Sequence, residues 1–205
     1  MLACGPMEPD VSVVFPCLNE VDGVGGVVRE SIDAVAGLGM CGEVIVVDNG
    51  STDGSDIAAA EAGARVVREH RRGYGSAYLA GFQAARGRYL VMADADGSYD
   101  FAALPSFIRE LEAGHDLVMG SRFRGHIAPN AMPWLHRYVG SPVLSWLLNV
   151  LYGTGVGDAH CGMRALRRDV VGRMRLRTLG MEFASEMIVN AARAGLRIGE
   201  VPVNY

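Results

Sequence analysis

Two aspartates one residue apart, Asp94 and Asp96, follow the apolar run Tyr89-Leu-Val-Met-Ala and precede Gly97. Carboxylate oxygens suit hard cations such as Mg2+ or Mn2+, which complete their shells with water and substrate phosphates. An acidic pair at the end of a buried strand is therefore a natural anchor for a metal-bridged diphosphate, although Asp-x-Asp-Gly also occurs in plain acidic turns. Polar residues recur after other apolar runs. Asn19 and Glu20 follow Val11-Ser-Val-Val-Phe-Pro16, and Asp48 ends Glu43-Val-Ile-Val-Val. Arg71 and Arg72 follow Ala64-Arg-Val-Val-Arg68, and Arg122 follows Asp116-Leu-Val-Met-Gly120.

The elements that must position these side chains alternate in type. Each short β-branched run reads as a buried strand, and helical periodicity follows it over about 24–36, up to 62, 76–85 and 101–112. Asn49-Gly-Ser51-Thr-Asp53 supplies turn and cap residues for the second of these helices. A repeated βα rhythm predicts an α/β fold, with a central, mostly parallel sheet and helices on both faces. Ligands of such sheets lie beyond the carboxyl ends of the strands, so all of these polar groups are expected at one edge. Further on, residues 181–187 open a helix carrying Glu182 and Glu186, and 199–205 read as a final strand. The longest apolar stretch, 139–152, is broken by polar residues and Pro142. It falls short of the roughly 20 residues of a membrane span, which leaves a core helix or one lying at a membrane surface.

Composition narrows the function. The 205 residues suffice for one domain with a large core, and half of them are hydrophobic. The net charge is −4, all 19 basic residues are arginine, and no basic stripe interleaved with aromatics marks a nucleic-acid surface. Cys4, Cys17, Cys41 and Cys161 show neither zinc spacing nor disulfide density, so reduced thiols in a cytoplasmic protein are expected. A dinucleotide fingerprint is absent: Val28 and Tyr78 stand where Gly23-Val-Gly25 and Gly73-Tyr-Gly75 would need a third glycine. A P-loop is excluded because the chain has no lysine.

Six stretches in order carry a resemblance. They are Val-Val-Phe-Pro-Cys-Leu-Asn19-Glu20, Val-Ile-Val-Val-Asp48-Asn-Gly-Ser51-Thr-Asp53, Gly73-Tyr-Gly75-Ser-Ala, Asp94-Ala-Asp96-Gly, Gly120-Ser-Arg122 and Asp158-Ala-His-Cys-Gly162-Met-Arg-Ala-Leu-Arg167-Arg168. Together they resemble family 2 glycosyltransferases, and among these the polyprenyl-phosphate (dolichyl-phosphate) glucosyl- and mannosyltransferases. The resemblance implies a GT-A fold that binds a nucleotide-sugar and inverts the anomeric centre. It implies a tail over 1–10 and one catalytic domain over 11–205. Pro16, Asn19, Glu20, Asp48, Ser51, Asp53, Arg72, Gly73, Asp94 and Ala95 would hold the nucleotide-sugar. Asp94 and Asp96 would hold Mg2+ or Mn2+. Arg122, Arg164, Arg167 and Arg168 would face the acceptor phosphate, and Asp158 and Arg122 would be catalytic. Many mannosyl members carry a glutamine where this chain has Ser98, and Met92-Ala-Asp-Ala-Asp-Gly97 is more similar to members using UDP-glucose. A UDP-hexose is therefore favoured over GDP-mannose. The implied place of work is the cytoplasmic membrane face, with the protein peripheral to or tethered at the plasma membrane. Relatives continue past the last strand into a basic loop and often membrane helices, so the chain is expected to be cut at a domain boundary. A saccharide or small-molecule hydroxyl acceptor, and a non-catalytic nucleotide-sugar module, are the alternatives.

The acceptor class has a chemical signature. A phosphate monoester is largely dianionic at neutral pH and needs guanidinium groups to position it, not a base. A sugar hydroxyl needs a carboxylate base, and Asp158 resembles a position proposed for that role. Other residues read as scaffold. Arg173, Arg175 and Arg177 are expected on a solvated edge, with a lipid-phosphate patch as the alternative, and His70, His115, His126, His136 and His160 lack metal spacing. Trp134 and Trp146 are expected in packing contacts, with a membrane interface as the alternative. Glu182 or Glu186 reaches sugar hydroxyls or lies on a helix surface.

Overall fold

β1 (Val11–Cys17) and β2 (Gly42–Asp48) are almost wholly buried, and their β-branched residues cover both faces of the central sheet. In the computed structural model, which describes residues 8–128 and 140–205, they pair in parallel from Val11↔Gly42 to Cys17↔Asp48. β3 (Arg65–Arg68), β4 (Tyr89–Met92), β5 (Leu117–Ser121), β6 (Arg164–Arg167) and β7 (Ile198–Pro202) complete a seven-stranded sheet of order β3-β2-β1-β4-β6-β5-β7. Every pairing is parallel except those of β6, which runs antiparallel to both β4 and β5. The parallel sheet and its helices are as expected, whereas β6 has no counterpart in the sequence reading.

Helices cover both faces. α1 (Val21–Gly37), α2 (Ser55–Glu61) and α4 (Leu104–Glu112) close one core around Val13, Phe15 and Val91. α3 (Tyr74–Ala84), the single turn α6 (Val171–Met174) and α7 (Phe183–Arg193) close the other around Val14, Ile45 and Met92. Residues 13, 14 and 15 thus point alternately to opposite cores, the two-residue period of a strand buried on both sides. Each such buried aliphatic or aromatic side chain contributes about 1.5–3 kcal/mol.

α5 (Ser141–Tyr152) is built the other way round. Its inward positions Ser141, Ser145 and Asn149 recur every four residues and are polar. Ser145 Oγ accepts from Ala159 N (3.0 Å), Asn149 Nδ2 donates to Val156 O (3.0 Å), and Asn149 Oδ1 accepts from Val156 N (3.0 Å) and Thr154 Oγ1 (2.5 Å). Its outward face is apolar: Trp146, Val150 and Leu151 are 63%, 62% and 61% exposed, with Val143, Leu144 and Leu147 beside them. The expected packing of Trp146 is therefore corrected, because the loop at 154–159 recruits the polar stripe and turns the indole outward. Trp134 and His136 lie outside the described residues. Among the described residues, no helix is long and apolar enough to cross a membrane. Cys17 and Cys161 are free and buried, but Cys41 is disulfide-bonded, against the expectation of reduced thiols throughout.

Candidate active site

Strand direction decides which side chains meet. β1, β2, β4 and β5 end at Cys17, Asp48, Met92 and Ser121 on one edge. Antiparallel β6 begins there, since Arg164 pairs with both Met92 and Met119. The segment 158–162 is thereby delivered to the same edge as Asp94 and Arg122.

A cavity of about 330 Å3 opens at this edge. Of the expected nucleotide-sugar and metal residues, Pro16, Glu20, Gly73, Asp94, Ala95 and Asp96 line it. Cys17, Leu18, Asn49, Tyr74 and Ala77 line it too and were not singled out. Asn49 is the most informative of these. Its amide donates to Glu69 O (2.8 Å) and Arg71 O (2.9 Å) and its oxygen accepts from Gly73 N (2.7 Å), so it fixes the whole loop between β3 and α3. Its place directly after Asp48 at a strand end was the available signal.

Asn19, Ser51 and Asp53 are not on the cavity lining but brace it. Asn19 N donates to Ser51 Oγ (3.0 Å), Thr52 N to Asn19 Oδ1 (2.9 Å) and Glu20 N to Ser55 Oγ (2.8 Å). Asp53 accepts from Val21 N (3.1 Å) and from Ser55 N (3.0 Å), satisfying the first N–H groups of two helices at once. The Ser55 hydroxyl, followed by these backbone donors, holds Asp53 below the usual carboxylate range. Asp48 is buried and accepts from Ser51 N (3.0 Å), while Arg72 lies exposed over Gly50.

Asp94 is the most perturbed carboxyl at the cavity. Burial, then the charge of Asp96, pushes it up to about 6, against the opposing influence of Arg164, Tyr74 and Arg122. Glu20 is also raised, by burial and then by Asp96 and Asp53. Gly162 admits this crowding: a Cβ there would overlap Asp94 Oδ2 and press on the Tyr99 hydroxyl, which accepts from Gly162 N at 2.7 Å. Asp96 Oδ1 accepts from Ser98 N (2.9 Å). The donor set fits a hard divalent cation, being all oxygen and carrying two carboxylates whose mutual repulsion a cation would relieve. Among the described residues, no group of three or more His, Cys, Asp or Glu side chains forms a complete cage.

Beside the pair lies a buried ion pair. Arg122 Nε donates to Asp158 Oδ2 (2.7 Å), Arg122 Nη2 to Oδ1 (2.8 Å) and the Arg122 backbone N to Oδ2 (3.1 Å). Burial lowers the guanidinium's proton affinity, but the hydrogen bond and charge of Asp158 outweigh it and hold Arg122 above its ordinary value. Its guanidinium also lies over the Tyr205 ring, 5.2 Å from the centroid. Gly157 N and Asp158 N donate to Glu200 (2.9 Å each), which fixes the loop from the β7 side.

The acceptor arginines do not assemble as expected. Arg164 is fully buried, and its guanidinium donates to Cys161 O, Ala184 O and Ala159 O at 2.8–3.2 Å. Its charge opposes the upward shift of the Asp94 carboxyl. Arg167 pairs with Tyr89 at the start of β4, three residues along β6 from Arg164 and on the far edge of the sheet. There it binds Asp169 (2.5 Å), while Arg168 N donates to Arg88 O (2.9 Å). The physical reason is the reversal of β6, which carries adjacent residues of one motif to opposite edges. Of the four, only Arg122 stands at the site with part of its surface open.

Glycosyl transferase family 2 is the description of the family model that matches residues 12–175. The chain is 46% identical over 200 residues to the low-salt glycan biosynthesis hexosyltransferase Agl6 of Haloferax volcanii, covering 97% of this chain and 48% of the relative. It thus spans about half of that protein's length. It is 33% identical over 196 residues to a dolichyl-phosphate hexose transferase of the same organism, covering 96% and 82%. Among solved structures, glucosyl-3-phosphoglycerate synthase of Mycobacterium tuberculosis in complex with Mn2+ and UDP-glucose superimposes with a TM-score of 0.72 at 26% identity, covering 96% and 70%. By the extent of the family match and by the arrangement of its sheet, the chain belongs to glycosyl transferase family 2 and has a GT-A fold.

Proposed function

We propose that this protein transfers a hexose, with inversion, from a nucleotide-sugar to a polyprenyl-phosphate at a membrane surface, with a UDP-hexose as the favoured donor. The observation that carries the reading is the convergence, at one sheet edge, of the Asp94–Asp96 pair, the 330 Å3 cavity and the Arg122–Asp158 pair. α5, apolar on its outer face, runs directly into the loop that holds Asp158. In this reading the base and ribose occupy the cavity between Pro16, Leu18, Asn49 and Gly73, the loops around them held by Asn19, Ser51 and Asp53. Asp94 and Asp96 would hold Mg2+ or Mn2+, which as a Lewis acid stabilises the charge of the departing diphosphate. Arg122 orients the acceptor phosphate, and Asp158 keeps the guanidinium aimed.

Both Asp158 oxygens already accept from Arg122, and the side chain is fully buried. It is a positioning residue, which favours a phosphate acceptor over a hydroxyl that would need a base. The Mn2+ and UDP-glucose bound by the mycobacterial synthase support a metal and a uridine donor here. The name of the dolichyl-phosphate hexose transferase supports a lipid phosphate acceptor.

The test is incubation with UDP-glucose or GDP-mannose, Mn2+ and a short polyprenyl phosphate. Lipid-linked hexose is expected from wild type and at least about a hundredfold less from Asp96→Asn, the several kcal/mol a Lewis acid supplies. Turnover with a saccharide acceptor and none with the lipid would replace this reading; nucleotide-sugar binding without any transfer would leave a non-catalytic module.

A further inference from the structure

Away from the sheet edge, a cavity of about 520 Å3 lies between α6 and α7. Arg173, Arg175, Arg177 and Arg193 line it together with Glu186 and Asn190. α6 lasts one turn and ends at Arg175, whose left-handed backbone (φ 48°) reverses the chain and sets Arg173 and Arg177 on the same cavity. α7 contributes Glu186, Asn190 and Arg193 from one face, at the i, i+4, i+7 spacing of a helix.

Arg173, Arg175, Arg177 and Arg193 are exposed, as expected of a solvated edge, but they are gathered on one cavity rather than spread. Four guanidinium groups share one concave surface of a protein whose net charge is −4. Among the described residues, none of the four has a carboxylate within ion-pair distance. The one acid of the lining, Glu186, accepts from Arg177 N (3.0 Å), Thr178 N (3.0 Å) and Thr178 Oγ1 (2.7 Å), and its charge acts on Arg177 without a direct ion pair, which leaves the cluster with a net positive charge. Arg173 donates to Ala194 O (3.0 Å), which holds its guanidinium against the helix end. Clustered like charges repel unless an anion joins them, and guanidinium forks match phosphate oxygens in pairs. Among the described residues no aromatic side chain lines the cavity for a base or a sugar ring to stack on.

We propose that this cavity is a binding site for a phosphate-bearing anion, separate from the nucleotide-sugar cavity, with which it shares no lining residue. The ligand chemistry is that of a mono- or diphosphate with at least three oxygens free to meet the guanidinium forks. A soluble phosphate and an anionic lipid headgroup both offer it. The site is set apart by the strap 178–180, which Glu186 anchors on one side, while Leu179 O accepts from Ser76 N (3.0 Å) and Gly180 O from Gly75 N (3.3 Å) on the other.

The experiment titrates the protein, with a chelator present to silence the acidic pair, against inorganic phosphate, pyrophosphate, and vesicles of phosphatidylglycerol and phosphatidylcholine in equal parts. Wild type is compared with the double variant Arg175→Asn/Arg193→Gln, which leaves every backbone hydrogen bond described here in place. Asparagine also tolerates the left-handed backbone at 175. At least tenfold weaker binding in the variant is expected, with UDP binding in the presence of Mn2+ unchanged. Saturable pyrophosphate or phosphate binding with no vesicle binding assigns the soluble source, and vesicle binding without the free anions assigns the headgroup. Binding of neither, or equal binding by both proteins, overturns the proposal. Should the variant unfold, the guanidinium Nε resonances of wild type decide: those of Arg173, Arg175, Arg177 and Arg193 must shift with pyrophosphate while that of buried Arg164 stays still.

Discussion

Asp158→Asn isolates what the buried ion pair does. In the native protein three N–H groups of Arg122 end on one carboxylate that is fully buried, and Arg122 itself is 8% exposed. The substitution keeps shape but removes the charge, leaving a buried guanidinium uncompensated at a cost of about 3–5 kcal/mol. For a domain of this size each kcal/mol lowers the melting temperature by roughly 2–4 °C, so a drop on the order of 10 °C is expected. The companion is Arg122→Met/Asp158→Leu, in which both charges leave together. Replacing a buried pair by apolar residues of similar volume is often near neutral, so most of the lost stability should return. Lipid-phosphate transfer should not return, because nothing then holds the acceptor. Thermal unfolding and transfer to polyprenyl phosphate are measured on all three proteins. If Asp158→Asn melts within about 2 °C of wild type, the energetic reasoning fails. If the double variant transfers at the wild-type rate, Arg122 has no acceptor role.

Other substitutions probe other links. Gly73 has φ 139° and a Cβ there would overlap Leu179 O, so Gly73→Ala should cost at least about 1–3 kcal/mol and weaken UDP binding, read by urea unfolding and calorimetry. Glu43 accepts from Arg86 N (2.7 Å), Ser12 Oγ (2.8 Å) and Arg65 Nη2 (2.9 Å). Burial alone would raise its carboxyl, but these hydrogen bonds outweigh it and hold the carboxyl below its ordinary value. The resulting stabilisation is complete above the ordinary glutamate range and is lost as pH falls through the lowered value. Thermal unfolding should therefore show Glu43→Gln less stable than wild type at neutral pH, with the gap closing below roughly pH 4. Trp146→Ser/Val150→Ser, on the exposed face of α5, should leave stability within about ±0.5 kcal/mol yet reduce sedimentation with lipid vesicles. Unchanged vesicle binding would remove α5 from the membrane reading.

The strands β1, β2 and β4 were legible because burial on both faces writes itself as unbroken β-branched and aliphatic runs. β6 was not. Its four residues begin and end in arginine, and Arg164 enters the core only because carbonyls distant in sequence, such as Ala184 O, meet its donors. The same gap misplaced Arg167 and Arg168, since a motif read along the chain carries no sign of strand reversal. The edge holding Asp94, Asp96 and Glu20 was foreseen from strand ends alone, whereas Gly73 was named only through the family resemblance. Whether Asn19, Ser51 or Asp53 touches a ligand or a neighbouring loop was not, because both uses call for the same short polar side chains at a turn. In α5 the apolar residues did not predict burial, because the loop at 154–159 takes the polar stripe of the helix instead.

The reversed strand also sets the order in which the molecule can be made. Among the described residues β6 is the only seam between β3-β2-β1-β4 and β5-β7, and it lies at 164–167 of 205 residues. As the chain leaves the ribosome, β4 and β5 are finished while the strand that must separate them is still unsynthesised. Until then each presents an open hydrogen-bonding edge, the usual template for misregistered pairing between chains. A nascent chain stopped short of Arg164 should be captured by chaperones or aggregate, and one that reaches beyond Pro202 should escape both.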